Sequence, residues 1–264
     1  MHKVRFGVVR EVVGDRDPSQ IMRLREALSA CFGPGIELII ADSYAALLQS
    51  FARAQIDAAW LTPAMVVEAS RRGALGLVAG ATRDGACDYH ATLVVRDDGV
   101  KTVADLQGCR AGWVDPWSAA GYLYPRRMLR DAGLDPSTVF AKQKFYGSHP
   151  AVLNALADGS IDVAATYLDR EGRLRRLSGI EVEGLRTLGR TASIPSDALC
   201  VRDSVPPEEL ALLTEHLVGE RAVELAATLE AQGFVPRPLA DYAMVRALLD
   251  DEWGRTSNEP PVTP

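Results

Sequence analysis

Short apolar runs alternate with longer segments whose apolar residues recur at helical spacing along most of the chain. In the first part of the chain this pattern predicts strands at 4–9, 36–41, 56–61 and 75–81. It predicts the intervening helices at 19–31, 44–54 and 64–71. Strands and helices that alternate in units of this length indicate an α/β fold, with a mostly parallel sheet and helices on both faces.

A second series of the same kind begins near residue 89. Its strands are predicted at 89–96, 110–114, 140–146 and 161–166. The segments 52–60 and 156–165 echo each other, since each ends a helix, turns tightly and continues through Ile-Asp into a strand of small residues. Two similar α/β lobes would explain this echo. A chance likeness between two helix-to-strand turns is the alternative.

One stretch, 115–129, has the features of a ligand-holding turn that opens a helix. Pro116 breaks the chain after a short apolar strand, and Ser118 has the chemistry of an N-cap. Ala119 and Ala120 follow without bulk that would block the N–H groups of the first turn. Those N–H groups and the positive end of the helix dipole favour an anion. The alternative is that Ser118 only caps a helix.

Proline and arginine residues follow inside this helix. Pro125 removes a backbone hydrogen bond and disfavours helical geometry at the preceding residue, so a kink is predicted there. Arg126, Arg127 and Arg130 come next, and their spacing predicts a solvated face.

Composition and charge narrow the classes of function. The 264 residues are 47% hydrophobic and 24% charged, which is ordinary for a globular chain. The net charge of −6 argues against nucleic-acid binding and against adhesion to an anionic membrane, because both require a basic surface. There is no apolar run of about 18 residues, so membrane insertion is not predicted. As written, the sequence begins without an export signal and predicts a cytoplasmic protein; if a signal has been removed, it predicts a periplasmic one.

The common catalytic and cofactor motifs are missing from the sequence. Four widely spaced cysteines form no Cys-x-x-Cys pair. There is no glycine-rich nucleotide motif, no His-Glu-x-x-His and no Gly-x-Ser-x-Gly. Ser148 stands beside His149, but neighbours on a chain seldom face each other and no orienting acid is evident. No catalytic residue, cofactor or metal site is therefore predicted.

A set of short motifs follows one order along the chain. They are Ser43-Tyr44-Ala45-Ala46, Ile56-Asp57-Ala58-Ala59-Trp60 with Pro63, Tyr89-x-x-x-Leu93-Val94-Val95-Arg96, Asp105-Leu106-x-Gly108, Asp115-Pro116-x-Ser118-x-x-Gly121-Tyr122-Leu123, Gly147-Ser148-His149 and Ile194-Pro195-Ser196-Asp197. In order and spacing they resemble the phosphonate-, phosphite- and phosphate-binding proteins of ABC importers, from about residue 4 to about residue 229.

The resemblance implies the type II periplasmic-binding fold. In that fold two α/β lobes, each with a mixed sheet flanked by helices, are joined by two crossover strands. The crossovers would fall near 92–95 and 193–201. Lobe 1 would then contain 1–91 and 196–264, and lobe 2 would contain 92–195.

The resemblance also implies a ligand-binding set, carried over residue by residue. The set is Tyr44, Tyr89, Ser118, Ala119, Ala120, His149 and Asp197. Tyrosine O–H groups are neutral donors for phosphoryl oxygens, and His149 can donate one or two N–H bonds. Asp197 would repel a phosphate unless it were protonated, so it would select protonated or amine-bearing ligands; the alternative is a turn residue.

The sequence departs from the family pattern at the helix start. The family commonly has a hydroxyl-rich run such as Ser-Thr-Ser, whereas this chain has Ser118-Ala119-Ala120. Two donors are lost, and at about 1 to 3 kcal/mol each this weakens the binding of a tetrahedral oxyanion by one to several decades. Trp117 would instead stack on a larger organic group.

These implications predict a solute-binding protein that closes its two lobes on a small anionic ligand, for ABC import or for sensing. Its partners would be that ligand and either an ABC permease or a sensor protein. The alternative is a cytosolic enzyme on the same fold, acting on a small organic acid or a phosphorylated metabolite, with His149 and Asp197 as acid and base.

Overall fold

The structure, a computed structural model, describes residues 4–13, 18–169, 172–174 and 183–254. They form two compact units. Unit 1 contains the described residues up to Asp88 and those from Pro195 to Arg246; unit 2 contains those from Tyr89 to Ile194 and those from Ala247 onward. The lobe boundaries drawn from the sequence stay a prediction. They assigned the whole C-terminal part to lobe 1, whereas the described residues 247–254 belong with unit 2.

The helices and strands alternate as the apolar pattern predicts. The strands are β1 (Arg5–Val9), β2 (Glu37–Ala41), β3 (Ala58–Leu61), β4 (Leu75–Thr82), β5 (Asp88–Arg96), β6 (Arg110–Trp113), β7 (Lys142–Phe145), β8 (Val163–Leu168), β9 (Leu185–Thr187), β10 (Ile194–Pro195), β11 (Ala198–Arg202) and β12 (Gly233–Pro236). The α-helices are α1 (Arg10–Val13), α2 (Pro18–Phe32), α3 (Tyr44–Ala52), α4 (Pro63–Arg71), α5 (Tyr124–Asp131), α6 (His149–Ala157), α7 (Pro207–Val218), α8 (Val223–Thr228) and α9 (Ala243–Trp253). Shorter helical turns lie at Val103–Leu106, Ala119–Leu123, Glu220–Ala222 and Leu239–Tyr242.

Unit 1 is built on a mixed sheet. Its strand order is β12-β4-β11-β3-β1-β2. The pairs of β1 with β2 and with β3 are parallel, whereas β11 runs antiparallel to both β3 and β4. The helices α2, α7 and α8 pack together, and their buried residues share one core with Phe6 and Trp60 of the sheet. The prediction of a mostly parallel sheet therefore holds only for one half of this sheet.

Unit 2 has a second mixed sheet with the order β10-β5-β8-β6-β7, and β9 pairs with β5 as well. Here β6 is parallel to β7 and β8, while β5 is antiparallel to β8. Alternate residues of β5 enter different cores: Leu93 and Val95 lie in one cluster and Val94 in the other. Successive strand residues point to opposite faces, so this sheet is covered on both sides.

The echo predicted between the two halves of the chain is a structural repeat. Arg5 pairs with Glu37 at the first position of β1 and β2, and Arg110 pairs with Lys142 at the first position of β6 and β7. The helices α3 and α6 are capped in the same way, since Ser43 and Ser148 each accept a backbone N–H three residues further on.

The same ion pair closes each copy of the repeat. In unit 1 the Arg5 side chain donates to both carboxylate oxygens of Asp57, at 2.9 and 2.7 Å, and its backbone N–H donates to Oδ2 at 2.9 Å. In unit 2 Arg110 donates to Asp162 in the same three ways, at 2.9, 2.7 and 2.8 Å. In both copies the partners are 52 residues apart, so the likeness extends beyond two similar turns.

Candidate functional site

The helix start predicted after β6 is present in unit 2. Ser118 is the N-cap: its Oγ accepts the Gly121 N–H at 2.9 Å, and its carbonyl accepts the Leu123 N–H at 3.1 Å. Within the described part of the chain, the N–H groups of Ala119 and Ala120 have no hydrogen-bond acceptor. Both alanines are 2% exposed. Two backbone donors and the positive end of a helix therefore lie together, which is the arrangement that binds anions.

The helix accommodates Pro125 through a wider first turn. The sequence predicted a kink at the proline; in the structure a π-helical turn spans Ala119–Leu123 and the α-helix α5 follows. In a regular α-helix, a residue with an N–H at position 125 would donate to the carbonyl of Gly121, four residues earlier; here Leu123 and Tyr124 instead donate to carbonyls five residues earlier. The Gly121 carbonyl accepts the N–H of Val114 at 3.2 Å. This hydrogen bond joins the helix start to the residue that follows β6. The Gly121 carbonyl therefore has a hydrogen-bond donor although Pro125 has no N–H.

Asp115 lies in the turn that leads into this helix. Its Oδ1 accepts the Trp117 N–H at 2.8 Å, and its carbonyl accepts the N–H of Ser118 at 2.9 Å. Burial disfavours the charged carboxylate and raises the pKa of Asp115 to about 6, although the bond from Trp117 opposes this shift. The Asp115 side chain, which lies beside the helix start, therefore gains or loses its proton at mildly acidic pH.

Two of the predicted ligand residues meet through a third ring in unit 2. Tyr167 on β8 packs edge-on against Tyr89 on β5, with ring centroids 6.5 Å apart. Its ring is also edge-on to His149 at the start of α6, at 4.8 Å. Tyr167 is not among the residues predicted from the sequence. The register of β5 and β8, which puts Tyr167 opposite Ala91 beside Tyr89, could have pointed to it once the strands were paired.

The environment of His149 keeps its ring neutral. Its Nδ1 is 2.9 Å from the hydroxyl oxygen of Thr166, which is buried. Burial lowers the pKa of His149 to about 4, because removal from water disfavours the charged imidazolium. At neutral pH the ring therefore has one N–H to donate. The acid–base role that the sequence left open for His149 would require a pKa nearer to neutrality.

Two of the predicted residues, Tyr44 and Asp197, lie in unit 1. Tyr44 is the first residue of α3 and is buried next to the Ser43 cap. Asp197 lies between β10 and β11, and its carbonyl accepts the N–H of Ala81 at 2.9 Å. Burial raises the pKa of Asp197, and the positive charge of Arg83 opposes this rise. Because these two residues belong to a different unit from the other six, the complete ligand set stays a prediction.

The Trp117 ring packs within unit 2. It is 4% exposed and meets Trp253 of α9 edge-on, with centroids 4.6 Å apart. This contact favours a packing role, and its predicted stacking on a ligand stays a prediction.

The prediction of a solvated arginine face on this helix is wrong for Arg126 and Arg130, whereas the side chain of Arg127 is 43% exposed. Arg126 is buried and forms an ion pair with Glu252 at 2.6 Å, and Arg130 also pairs with Glu252. Tyr122 donates its O–H to the same carboxylate at 2.8 Å. These bonds explain why the end of α9 belongs with unit 2. No local signal could have revealed them, because Glu252 is more than 120 residues further along the chain.

Comparison with known proteins identifies the family. Residues 13–242 match the family described as the periplasmic substrate-binding protein of the ABC phosphonate transporter. The chain belongs to this family. It is therefore a solute-binding protein of ABC import, whose partners are an anionic ligand and an ABC permease. Within the described residues, no helix is both long and apolar enough to span a membrane.

Individual relatives agree with this assignment. The "Phosphate-import protein PhnD" of Mycolicibacterium smegmatis is 24% identical over 246 residues, which are 83% of this chain and 76% of that protein. A binding protein component of an ABC phosphonate transporter from Pseudomonas aeruginosa superposes with a TM-score of 0.76 at 21% identity, covering 93% of this chain and 84% of that one. PhnD1 from Prochlorococcus marinus, in complex with methylphosphonate, superposes with a TM-score of 0.75 at 16% identity, covering 95% and 98%. These likenesses confirm the type II periplasmic-binding fold.

Proposed function

We propose that the imported solute is a small phosphorus oxyanion, namely a phosphonate, phosphite or phosphate. The observation that carries this proposal is the helix start, where the N–H groups of Ala119 and Ala120 have no acceptor among the described residues. Backbone donors at the positive end of a helix suit a tetrahedral anion. One relative is named as a phosphate-import protein and another was solved in complex with methylphosphonate, which supports the same class of ligand.

The side chains predicted to bind the ligand from unit 2 add neutral donors. The Oγ of Ser118 accepts a backbone N–H, so its hydroxyl hydrogen remains available for a ligand oxygen. Tyr89 and His149 contribute an O–H and an N–H from the cluster that they share with Tyr167. Neutral donors hold an anion without a tight ion pair, which suits a protein that must release its ligand to a permease.

Tyr44 and Asp197 remain proposed ligand residues of unit 1. Since burial raises the pKa of Asp197, a protonated carboxyl group there would donate a hydrogen bond to a phosphoryl oxygen. If Asp197 is instead ionised in the complex, it would favour a ligand with an amino group. Comparing methylphosphonate with 2-aminoethylphosphonate therefore tests its role.

We also propose that the protein works in the periplasm, as the family does, and that it has no additional sensor partner. The sequence left a sensor partner open. Ligand-dependent stimulation of permease ATPase activity would support import.

The first experiment is a thermal-shift screen followed by calorimetry. Methylphosphonate, phosphite, phosphate and sulfate are each compared at rising concentration. A ligand at about 100 times its dissociation constant should add about 2.7 kcal/mol to stability, or roughly 5 to 10 °C in Tm for a chain of this size. No shift with any phosphorus oxyanion, together with an organic acid that is bound and consumed, would replace this proposal with the enzymatic alternative.

The second experiment removes one backbone donor. Ala119 is the first helical residue, where proline fits, and Ser118 before it is already extended, at φ −82° and ψ 117°. Ala119→Pro should therefore fold with nearly unchanged Tm but bind methylphosphonate at least tenfold more weakly. The matched control is Ala119→Gly, which keeps the N–H. Equal affinity of the proline and glycine variants would contradict the role of this N–H.

A further inference from the structure

We propose that Thr166 is a positioning residue that sets the tautomer of His149, so that the ring proton lies on Nε2 and Nδ1 accepts a hydrogen bond. Only its consequence for binding rests on the proposed function, because the tautomer itself is a property of the free protein.

The hydrogen-bonding inventory of Thr166 carries the argument. A threonine hydroxyl has one hydrogen to donate, and the side chain of Thr166 is 2% exposed. Among the residues that the structure describes, His149 Nδ1 is the one hydrogen-bond partner of this hydroxyl, at 2.9 Å. If Nδ1 carried the proton, the buried hydroxyl hydrogen would have no acceptor, which is costly. The hydroxyl therefore donates to Nδ1.

The charge of the ring completes the assignment. Burial keeps His149 neutral at pH 7, so the ring holds a single proton. With Nδ1 as acceptor, that proton lies on Nε2. A neutral imidazole in this form offers an anion a donor, whereas the other tautomer would present a lone pair at Nε2 and repel it.

The plane of the ring is held as well. Tyr167 meets the His149 ring edge-on, with an angle of 79° between the planes. Tyr167 is itself held between His149 and Tyr89, and the pairing of β8 with β5 fixes its backbone. Adjacent residues of one strand, Thr166 and Tyr167, therefore control the proton and the orientation of His149.

The repeat offers an internal comparison. Position for position, His149 in unit 2 corresponds to Tyr44 in unit 1, since each is the first residue of the helix that a serine caps. Thr166 corresponds to Leu61, since β8 and β3 both run parallel to the first strand of their repeat in the same register. A tyrosine has no tautomer to set, and its copy of the repeat has a fully buried leucine at this position. The hydroxyl occurs where the helix begins with histidine.

Nuclear magnetic resonance of the ¹⁵N-histidine-labelled full chain tests the proposal directly. The chain has four histidines, and the signals of His149 are assigned by their loss in His149→Gln. Long-range ¹H–¹⁵N spectra at pH 7 should show His149 protonated on Nε2, with Nδ1 in the range of a hydrogen-bonded acceptor. A proton on Nδ1 in the free wild-type protein would overturn the proposal, whatever the ligand is.

Three variants separate positioning from packing. Thr166→Val removes the hydroxyl at nearly constant volume, and Thr166→Ser retains it. Thr92→Val is the matched control: Thr92 is the cross-strand partner of Thr166 and is equally buried, but its hydroxyl donates to Gly189 O at 2.6 Å. We expect the Nδ1 resonance to change in Thr166→Val and to stay unchanged in the other two.

Affinity provides the second readout. Thr166→Val should bind methylphosphonate about tenfold more weakly, while Thr166→Ser and Thr92→Val stay within about threefold of wild type. An unchanged Nδ1 signal in Thr166→Val would contradict the proposal. If the wild-type tautomer is as expected but no phosphorus oxyanion binds, the proposed ligand is wrong while the assignment of Thr166 stands.

Discussion

The two units contain the same β-α-β-α-β frame in two chemical versions. The residues that repeat are those that the backbone requires: an arginine and an aspartate that close the frame, a glycine inside the first strand and a serine that caps the second helix. Two of the positions that differ involve donor chemistry, since Tyr44 and Leu61 in unit 1 stand where His149 and Thr166 stand in unit 2. Packing and hydrogen bonding determine the frame. The side chains that could bind a ligand can differ between its two copies without changing it.

The largest contrast follows the first strand of each frame. In unit 1 the chain enters the short helix α1 directly at Arg10. In unit 2 it passes through a turn at Asp115 and starts its helix at Ser118 with a π-helical turn. The N–H groups of Ala119 and Ala120, which we propose bind the ligand, belong to unit 2. The same β-α-β-α-β frame therefore accommodates two different connections from the first strand to the first helix. We infer that the connection in unit 2 forms the anion site.

The largest expected effect comes from the glycine in the first strand of each frame. A Cβ at Gly112 would lie 2.4 Å from Ile161 Cδ1 and 2.7 Å from Val152 Cγ2; at Gly7 it would lie 2.5 Å from Leu47 Cδ1. Gly112→Ala and Gly7→Ala should each destabilise their own unit by about 1 to 3 kcal/mol, because the packed side chains that the new Cβ meets must shift. Hydrogen exchange followed by mass spectrometry reports the two units separately.

A second substitution sharpens this test. Ile161→Val removes the Cδ1 atom that the new Cβ would meet, so Gly112→Ala with Ile161→Val should be more stable than the sum of the two single effects. In unit 1, Ile56→Val leaves the closer contact with Leu47 in place and should rescue less. Strict additivity in unit 2 would mean that the glycine is not required by this contact.

A smaller difference is expected between the two ion pairs. The carboxylate of Asp57 is 12% exposed and that of Asp162 is 26% exposed, although their hydrogen bonds match. Asp57→Asn should therefore destabilise the folded state more than Asp162→Asn does, since the charge pair that is less exposed to water is screened less. Urea unfolding with exchange readouts gives both values, and a larger cost at Asp162 would contradict the dependence on burial.

The ion pair between Arg110 and Asp162 makes the stability of unit 2 depend on pH in a defined direction. The hydrogen bond from Arg110 lowers the pKa of Asp162 below its ordinary value. The ionised carboxylate therefore stabilises the folded state above about pH 4, and this stability is lost as the pH falls further. The stability difference between wild type and Asp162→Asn should shrink over that acidic range.

The sequence predicted the features that depend on neighbouring residues and missed the contacts between residues that are far apart in the chain. The cap at Ser118, the strands and the echo between the halves follow from residues within one turn or one short run. The partners of Arg126 and His149 do not, because Glu252 and Thr166 reach them only through tertiary packing. Strand β12 was also missed: it contains Gly233 and Pro236, residues that β-propensity disfavours, and it is held by antiparallel pairing with β4.

The smallest expected effect concerns Asp115, where unit 1 has Arg10. A raised carboxyl pKa, about 6 for Asp115, means that the folded protein holds the proton more tightly than the unfolded chain does. Ionisation of Asp115 therefore destabilises the folded state progressively from about pH 4 to pH 6, and the full cost applies above that range. Asp115→Asn removes the charge while its amide oxygen can still accept the Trp117 N–H, so the variant should be more stable than wild type at pH 8 and lose this advantage at pH 4.

The same charge should weaken anion binding. At ~8 Å and an effective dielectric constant of ~40, two unit charges interact by about 1 kcal/mol, or about fivefold in affinity. Asp115→Asn should therefore bind methylphosphonate about fivefold more tightly than wild type at pH 8 and almost equally at pH 5. Because the ligand titrates identically with both proteins, the ratio of the two affinities reports only the effect of Asp115.

Asp98→Asn, at a carboxylate that is 88% exposed, is the control for net charge. A ratio that stays constant from pH 5 to pH 8 would separate Asp115 from the anion site and leave its raised pKa as a feature of packing alone.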